Sequence, residues 1–169
     1  APGAHTEQDL YAGYGFTAGD FAFDLKYTKY LYDNASALNF GETHAQVSAY
    51  GFAVGADYSN DTPVVGNATG TLDDSAAFHY YGSYTYTLPA EITLVGTVGQ
   101  YDYKDSGWVG HDHSKYSYYN LAMNKTMWDI NFGMAYTNTT VGGSDCEVFA
   151  GGSDYCGNKF VVSAVKSFK

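Results

Sequence analysis

Ala76-Ala-Phe-His-Tyr-Tyr-Gly-Ser-Tyr-Thr-Tyr-Thr-Leu88 decides the fold. Its even positions are Ala76, Phe78, Tyr80, Gly82, Tyr84, Tyr86 and Leu88, and its odd positions are Ala77, His79, Tyr81, Ser83, Thr85 and Thr87. One set is apolar and aromatic; the other carries hydroxyls and an imidazole. Successive side chains of an extended chain point to opposite faces, so a period of two over this length predicts a strand with two unlike faces. Trp128-Asp-Ile-Asn-Phe-Gly-Met-Ala-Tyr-Thr137 repeats the rule. Trp128, Ile130, Phe132, Met134 and Tyr136 alternate there with Asp129, Asn131, Gly133, Ala135 and Thr137.

Working outward, the same alternation predicts strands around Asp9–Phe16, Phe21–Thr28, His44–Ala49, Phe52–Tyr58, Ile92–Gly99, Tyr118–Met123 and Lys159–Phe168. The total is about nine, most near the length that a tilted membrane strand requires. Between them, short turns are predicted at Thr17–Asp20, Tyr50–Gly51, Leu88–Glu91 and Asn124–Met127. Long polar connections are predicted at Asp33–Asn39, Ser59–Ser75, Lys104–Lys115 and Asn138–Asn158. Short and long alternate throughout. Outer-membrane barrels do this because one side of the membrane carries tight turns and the other extended loops; a soluble sandwich mixes loop lengths at both ends. Aromatic residues near strand ends on the apolar face, Phe21, Tyr27, Tyr58, Tyr84 and Trp128 among them, have the placement of interfacial girdles.

Composition agrees. The 169 residues suit one domain spanning 1–169, and they include 18 Tyr, 10 Phe and 20 Gly but only 3 Pro and 15% charged residues. Aromatic and glycine enrichment favours strands over helices. A net charge of -10 argues against a nucleic-acid partner, because phosphates need Lys and Arg to neutralise them. No run of about 18 apolar residues exists to make a transmembrane helix. The mildly polar mean hydropathy does not count against a barrel, where only alternate residues meet lipid. The opening Ala1-Pro-Gly is not a signal peptide and suits a mature, trimmed or incomplete chain.

The expected architecture is therefore all-β: an antiparallel up-and-down meander of the outer-membrane barrel type. Nine strands leave a parity problem, since single-chain bacterial barrels have an even number. Strands preceding Ala1, or pairing with another chain, would resolve it.

The chain also resembles a proteobacterial family of outer-membrane porins, the TorF-like family. The likeness rests on Asp9-Leu-Tyr-Ala-Gly-Tyr-Gly15, Gly19-Asp-Phe-Ala-Phe-Asp24 leading to Tyr30-Leu-Tyr32, Tyr80-Tyr-Gly-Ser-Tyr-Thr-Tyr-Thr-Leu-Pro89 and Val161-Val-Ser-Ala-Val-Lys-Ser-Phe168. It covers essentially the whole chain. The resemblance implies an outer-membrane barrel whose N-terminal strands, about three, are lacking here, which would restore an even count. Family members end on the aromatic residue, whereas Lys169 follows Phe168 here.

Little in the sequence points to catalysis. His44 and His79 share the polar face with Ser48 and Ser83, where a hydrolase dyad could be built, but no known motif surrounds them. His111-Asp112-His113 is the most ligand-like cluster, with two imidazoles flanking a carboxylate; a solvated loop tip weighs more. Asp57, Asp61, Asp73 and Asp74 lack the spacing of a calcium loop. No cofactor is expected. Cys146 and Cys156, ten apart in a Gly/Ser/Asp-rich stretch, read as a disulfide closing the loop 138–158 in an oxidising compartment, with a metal pair the weaker alternative. Asn-x-Ser/Thr sequons begin at Asn34, Asn60, Asn67, Asn124 and Asn138; in a bacterial outer-membrane protein they are coincidence.

Two functional expectations follow. In the first, the barrel sits in outer-membrane lipid and lets small solutes pass, with Asp9, Tyr11, Asp24, Lys26, His79, Tyr81, Asp129 and Asn131 facing a lumen whose acidic bias favours cations. In the second, the chain is a structural surface protein, a homo-oligomer or assembly joined through strand edges at the cell surface.

Overall fold

The computed structural model describes residues 5–65, 72–104 and 114–167. Nine strands form one antiparallel sheet in sequence order: β1 (Glu7–Ala18), β2 (Phe21–Tyr32), β3 (Phe40–Ala49), β4 (Phe52–Val65), β5 (Leu72–Leu88), β6 (Ile92–Tyr103), β7 (Lys115–Met127), β8 (Ile130–Thr139) and β9 (Lys159–Lys166). This is the predicted meander. Among the described residues β1 pairs only with β2 and β9 only with β8, so the sheet is open. Both edge strands are exposed along their whole length. Being odd-numbered members of an antiparallel meander, β1 and β9 run in the same direction.

Tight turns lie at one end of the sheet. Tyr50 and Gly51 have φ of 53° and 84°, and Trp128 and Asp129 of 54° and 59°, so each pair places two consecutive residues in the left-handed region. That is the requirement of the hairpin turn whose twist matches the strands. At this end the Tyr50 hydroxyl also donates to the Asp20 carboxylate of the neighbouring turn.

The last turn differs from expectation. Asn124–Met127 is strand, paired through Asn124–Gly133, Lys125–Phe132, Thr126–Asn131 and Met127–Ile130, and the chain reverses at Trp128–Asp129. Asn124 and Thr126 read as turn residues by polarity, yet they fall on the polar face, where a strand accommodates them. Trp128 is 81% exposed and holds a backbone conformation that costs a bulky residue. Replacing Trp128-Asp129 by Asn-Gly is expected to raise stability in detergent by about 1 kcal/mol, read from the urea midpoint. No gain would mean that the indole makes contacts worth the strain.

The opposite end carries the long connections. β4 and β5 extend further than Ser59–Ser75 suggested, pairing from Thr62–Ser75 out to Val65–Leu72 beyond an irregularity between Ser59 and Thr62. That irregularity is a bulge, and it aims Asp61 sideways. Its carboxylate accepts the Gly41 N–H at 2.9 Å and Lys29 Nζ at 3.0 Å, tying β4 across β3 to β2. After β2, Asp33 accepts the backbone N–H groups of His5 and Thr6 at 2.8 and 2.6 Å. These bonds hold its carboxyl below the usual carboxylate range, so the tether is present at neutral pH and lost on acidification.

The connection 140–158 contains a short helix, α1 (Gly143–Ala150), and the predicted disulfide, Cys146–Cys156, with Cα atoms 5.7 Å apart. Thr139 Oγ1 donates to the Cys156 carbonyl at 2.8 Å, which fastens the closed loop to the end of β8. His111, Asp112 and His113 lie outside the described residues.

Candidate functional site

Register settles which side chains share a face. Lys26 opposes His44, His44 opposes Asp57, Asp57 opposes His79, His79 opposes Tyr101, and Tyr101 opposes Tyr116. Partners across a ladder point the same way, so these form one continuous row over β2–β7. The next row toward the turns runs Asp24, Gln46, Gly55, Tyr81, Gly99 and Tyr118. Of the eight positions expected to face one lumen, Asp9, Tyr11, Asp24, Lys26, His79, Tyr81 and Asn131 share this polar face. Asp129 does not belong to a strand; it sits in the turn beside Trp128.

Over β3–β8 the two faces are exposed in the reverse of the usual order. On the polar face, the His79 and Asp57 side chains are 11% and 14% exposed. On the apolar face, Val54 is 62% and Leu121 58% exposed. Among the described residues the only buried hydrophobic side chains are Tyr103 and the two half-cystines. What the sheet shelters is a set of polar and aromatic groups rather than an aliphatic core. Side chains on the polar face reach partners two strands away, Tyr81 on β5 to Gln46 on β3 and Tyr118 on β7 to His79 on β5, so that face is the inside of the curl.

Asp57 is the hub of this face. Its two carboxylate oxygens meet His44 Nδ1 at 2.5 Å and His79 Nδ1 at 2.7 Å. An ionised carboxylate only accepts, so both imidazoles carry a proton on Nδ1. His79 Nε2 is 2.9 Å from the Tyr118 hydroxyl; on a neutral ring it is the acceptor, and Tyr118 donates. His44 Nε2 lies 3.8 Å from Asp24, beyond hydrogen-bond length but close enough for attraction when the ring is charged. The Tyr81 hydroxyl donates to Gln46 Oε1 at 2.6 Å. The His79 ring stacks on Tyr101 with centroids 4.1 Å apart, and Tyr101 on Tyr116 at 5.0 Å.

Glycine makes this shingling possible. A Cβ at Gly55 would meet the Tyr81 ring at 2.5 Å, and one at Gly99 the Tyr118 ring at 2.6 Å. Each tyrosine lies across a glycine of the neighbouring strand. Gly99→Val is therefore expected to lift Tyr118 from His79 and destabilise the fold by about 1–3 kcal/mol. Gly96→Val, in open space on the other face, should change stability by less than about 0.5 kcal/mol. Urea midpoints of the two variants compare them directly; equal values would mean that the ring is free to move.

The arrangement does not assemble the dyads that the sequence allowed. Ser48 and Ser83 lie four residues along their strands from His44 and His79, about 13 Å by strand rise. Asp57 and Asp61 are engaged by different partners rather than converging on one cation. Among the described residues no group of three or more His, Cys, Asp or Glu is placed to hold a metal ion. Sequence reasoning missed Asp57 as the link between the two histidines. The signal was present: His44 and Asp57 are each six residues from the Tyr50-Gly51 turn, which pairs them.

The chain matches no protein-family model, no curated protein and no solved structure.

Proposed function

We propose that this chain forms the wall of an outer-membrane β-barrel that lets small solutes pass down its polar concave face. The inverted distribution of side chains carries the reading. Large apolar residues crowd the exposed convex face, and carboxylates, imidazoles and hydroxyls line the sheltered one. Water penalises that convex face; a hydrocarbon surround does not. On β4 the outward residues run from Phe52 through Val54 and Ala56 to Tyr58. Aromatics bracket a span of about 20 Å by strand rise, near the ~25 Å apolar band of such barrels. The alternation of tight turns and long connections supports the same orientation, and the resemblance of the strand motifs to the TorF-like porins points the same way. The open edges of β1 and β9 require strands beyond these nine, or a second copy, to close the wall.

Refolding the chain from urea into phospholipid vesicles tests the reading. A β-rich spectrum, protease resistance that depends on lipid, and cation-biased current steps in a planar bilayer are expected. A chain that stays monomeric and folded in water without lipid overturns it.

One observation favours a second reading, an assembly joined through strand edges. The edge strand β1 carries Glu7 and Asp9 and no cation, whereas β9 carries Lys159 and Lys166 and no anion. Lipid-free polymers in negative stain, with no insertion into vesicles, would decide for it.

A further inference from the structure

The polar face is graded along the strands. Near the tight turns the row across β2–β7 is Ala22, Ser48, Ala53, Ser83, Thr97 and Asn120, nearly all of them small. Four residues further along the same strands, the row is Lys26, His44, Asp57, His79, Tyr101 and Tyr116. Every strand of the six steps up in side-chain volume between the two levels. The large row is also held in place: His44 and His79 are pinned to Asp57, and His79, Tyr101 and Tyr116 stack in series. A row of large, fixed side chains narrows a passage, and one of small ones leaves it open.

We propose that the Lys26–Tyr116 row is the constriction that sets the size limit and charge preference of the passage, and that the turn-side half is a wide vestibule. This rests on the passage reading above and names where that passage discriminates. The charge around the row is unbalanced. Asp24, Glu42 and Asp57 stand against the single ammonium of Lys26, with His44 and His79 held on Asp57. Carboxylates set into a narrow, partly dehydrated wall attract cations more strongly than the same groups in a wide aqueous channel. The row lies four residues nearer the long connections than the small row does, so the vestibule opens on the side of the tight turns.

Single-channel recording of the full chain in planar bilayers, in a salt gradient, tests this. Truncating both rings, Tyr101→Ala with Tyr116→Ala, is expected to raise conductance by about two-fold or more. Asp57→Asn, which keeps the shape, should lower the cation-to-anion permeability ratio. Ser83→Trp, in the vestibule, should leave conductance within about 20%, because a wide segment contributes little resistance. Circular dichroism checks that each variant folds, and Tyr116→Leu alone serves if the double truncation does not. A wild-type chain that inserts silently and conducts once the rings are removed also supports the proposal. If the wild type conducts, the ring truncations change nothing and Ser83→Trp blocks it, the constriction lies elsewhere and this inference alone falls. If neither the wild type nor any variant conducts, the passage reading falls with it.

Discussion

Replacing Asp57 by alanine is expected to cost about 2–4 kcal/mol of stability, the largest loss from any single truncation on the concave face. The carboxylate accepts from two imidazoles at once, and all three side chains are at most 16% exposed. Without it, two N–H donors face each other across a gap with no acceptor. Each such orphan costs about 1–3 kcal/mol when fully buried, and some solvent access here lowers the sum. Asp57→Asn should cost less. Its amide keeps one acceptor oxygen, and one imidazole can shift its proton to Nε2 and accept from the new NH2 group. The order wild type, Asn, Ala in urea midpoint, followed by tryptophan fluorescence in detergent, is the expected result. An alanine variant within about 0.5 kcal/mol of wild type would mean that water already satisfies both rings.

The backbone of this fold was legible because its signals are local. Period-two alternation located the strands, and Gly51 behind Tyr50 marked a hairpin turn. Register then followed by counting outward from each turn, which is why seven of the eight anticipated lumen positions share one face. Asp129 escaped because Trp128 ahead of it is a poor turn former by propensity, and the more polar Asn124-Lys125-Thr126 drew the turn upstream. Two features were not legible. The predicted strand Phe52–Tyr58 ends just past Asp57, and nothing in its neighbours says that β4 continues to Val65. The reach of Tyr81 to Gln46 and of Tyr118 to His79 spans two strands, and it depends on Gly55 and Gly99 lying between them. Glycine spacing in one strand carries no information about a ring two strands away until the sheet is assembled.

Val54→Arg is expected to destabilise the chain in phospholipid vesicles by about 2–4 kcal/mol, the cost of a cation on the lipid side of a barrel near the bilayer midplane. Val54 is chosen because it is 62% exposed, lies on the convex face and stands between Phe52 and Tyr58 on the same strand. Ala53→Arg is the matched control. It is the adjacent residue on the same strand and faces the concave side among Ser48 and Ser83, so its guanidinium has room and water. It should cost less than about 1 kcal/mol. The comparison isolates the solvent of each face, because both variants add the same side chain to the same stretch of backbone. A sheet surrounded by water predicts the opposite order: an exposed valine exchanged for arginine changes stability by at most about 0.5 kcal/mol, while crowding a cation into the sheltered face costs more. Unfolding titrations of both variants in vesicles and in detergent therefore read the sign directly. A larger penalty at Ala53 than at Val54 would remove lipid from the convex face and leave the edge-joined assembly as the standing account of its exposed apolar surface.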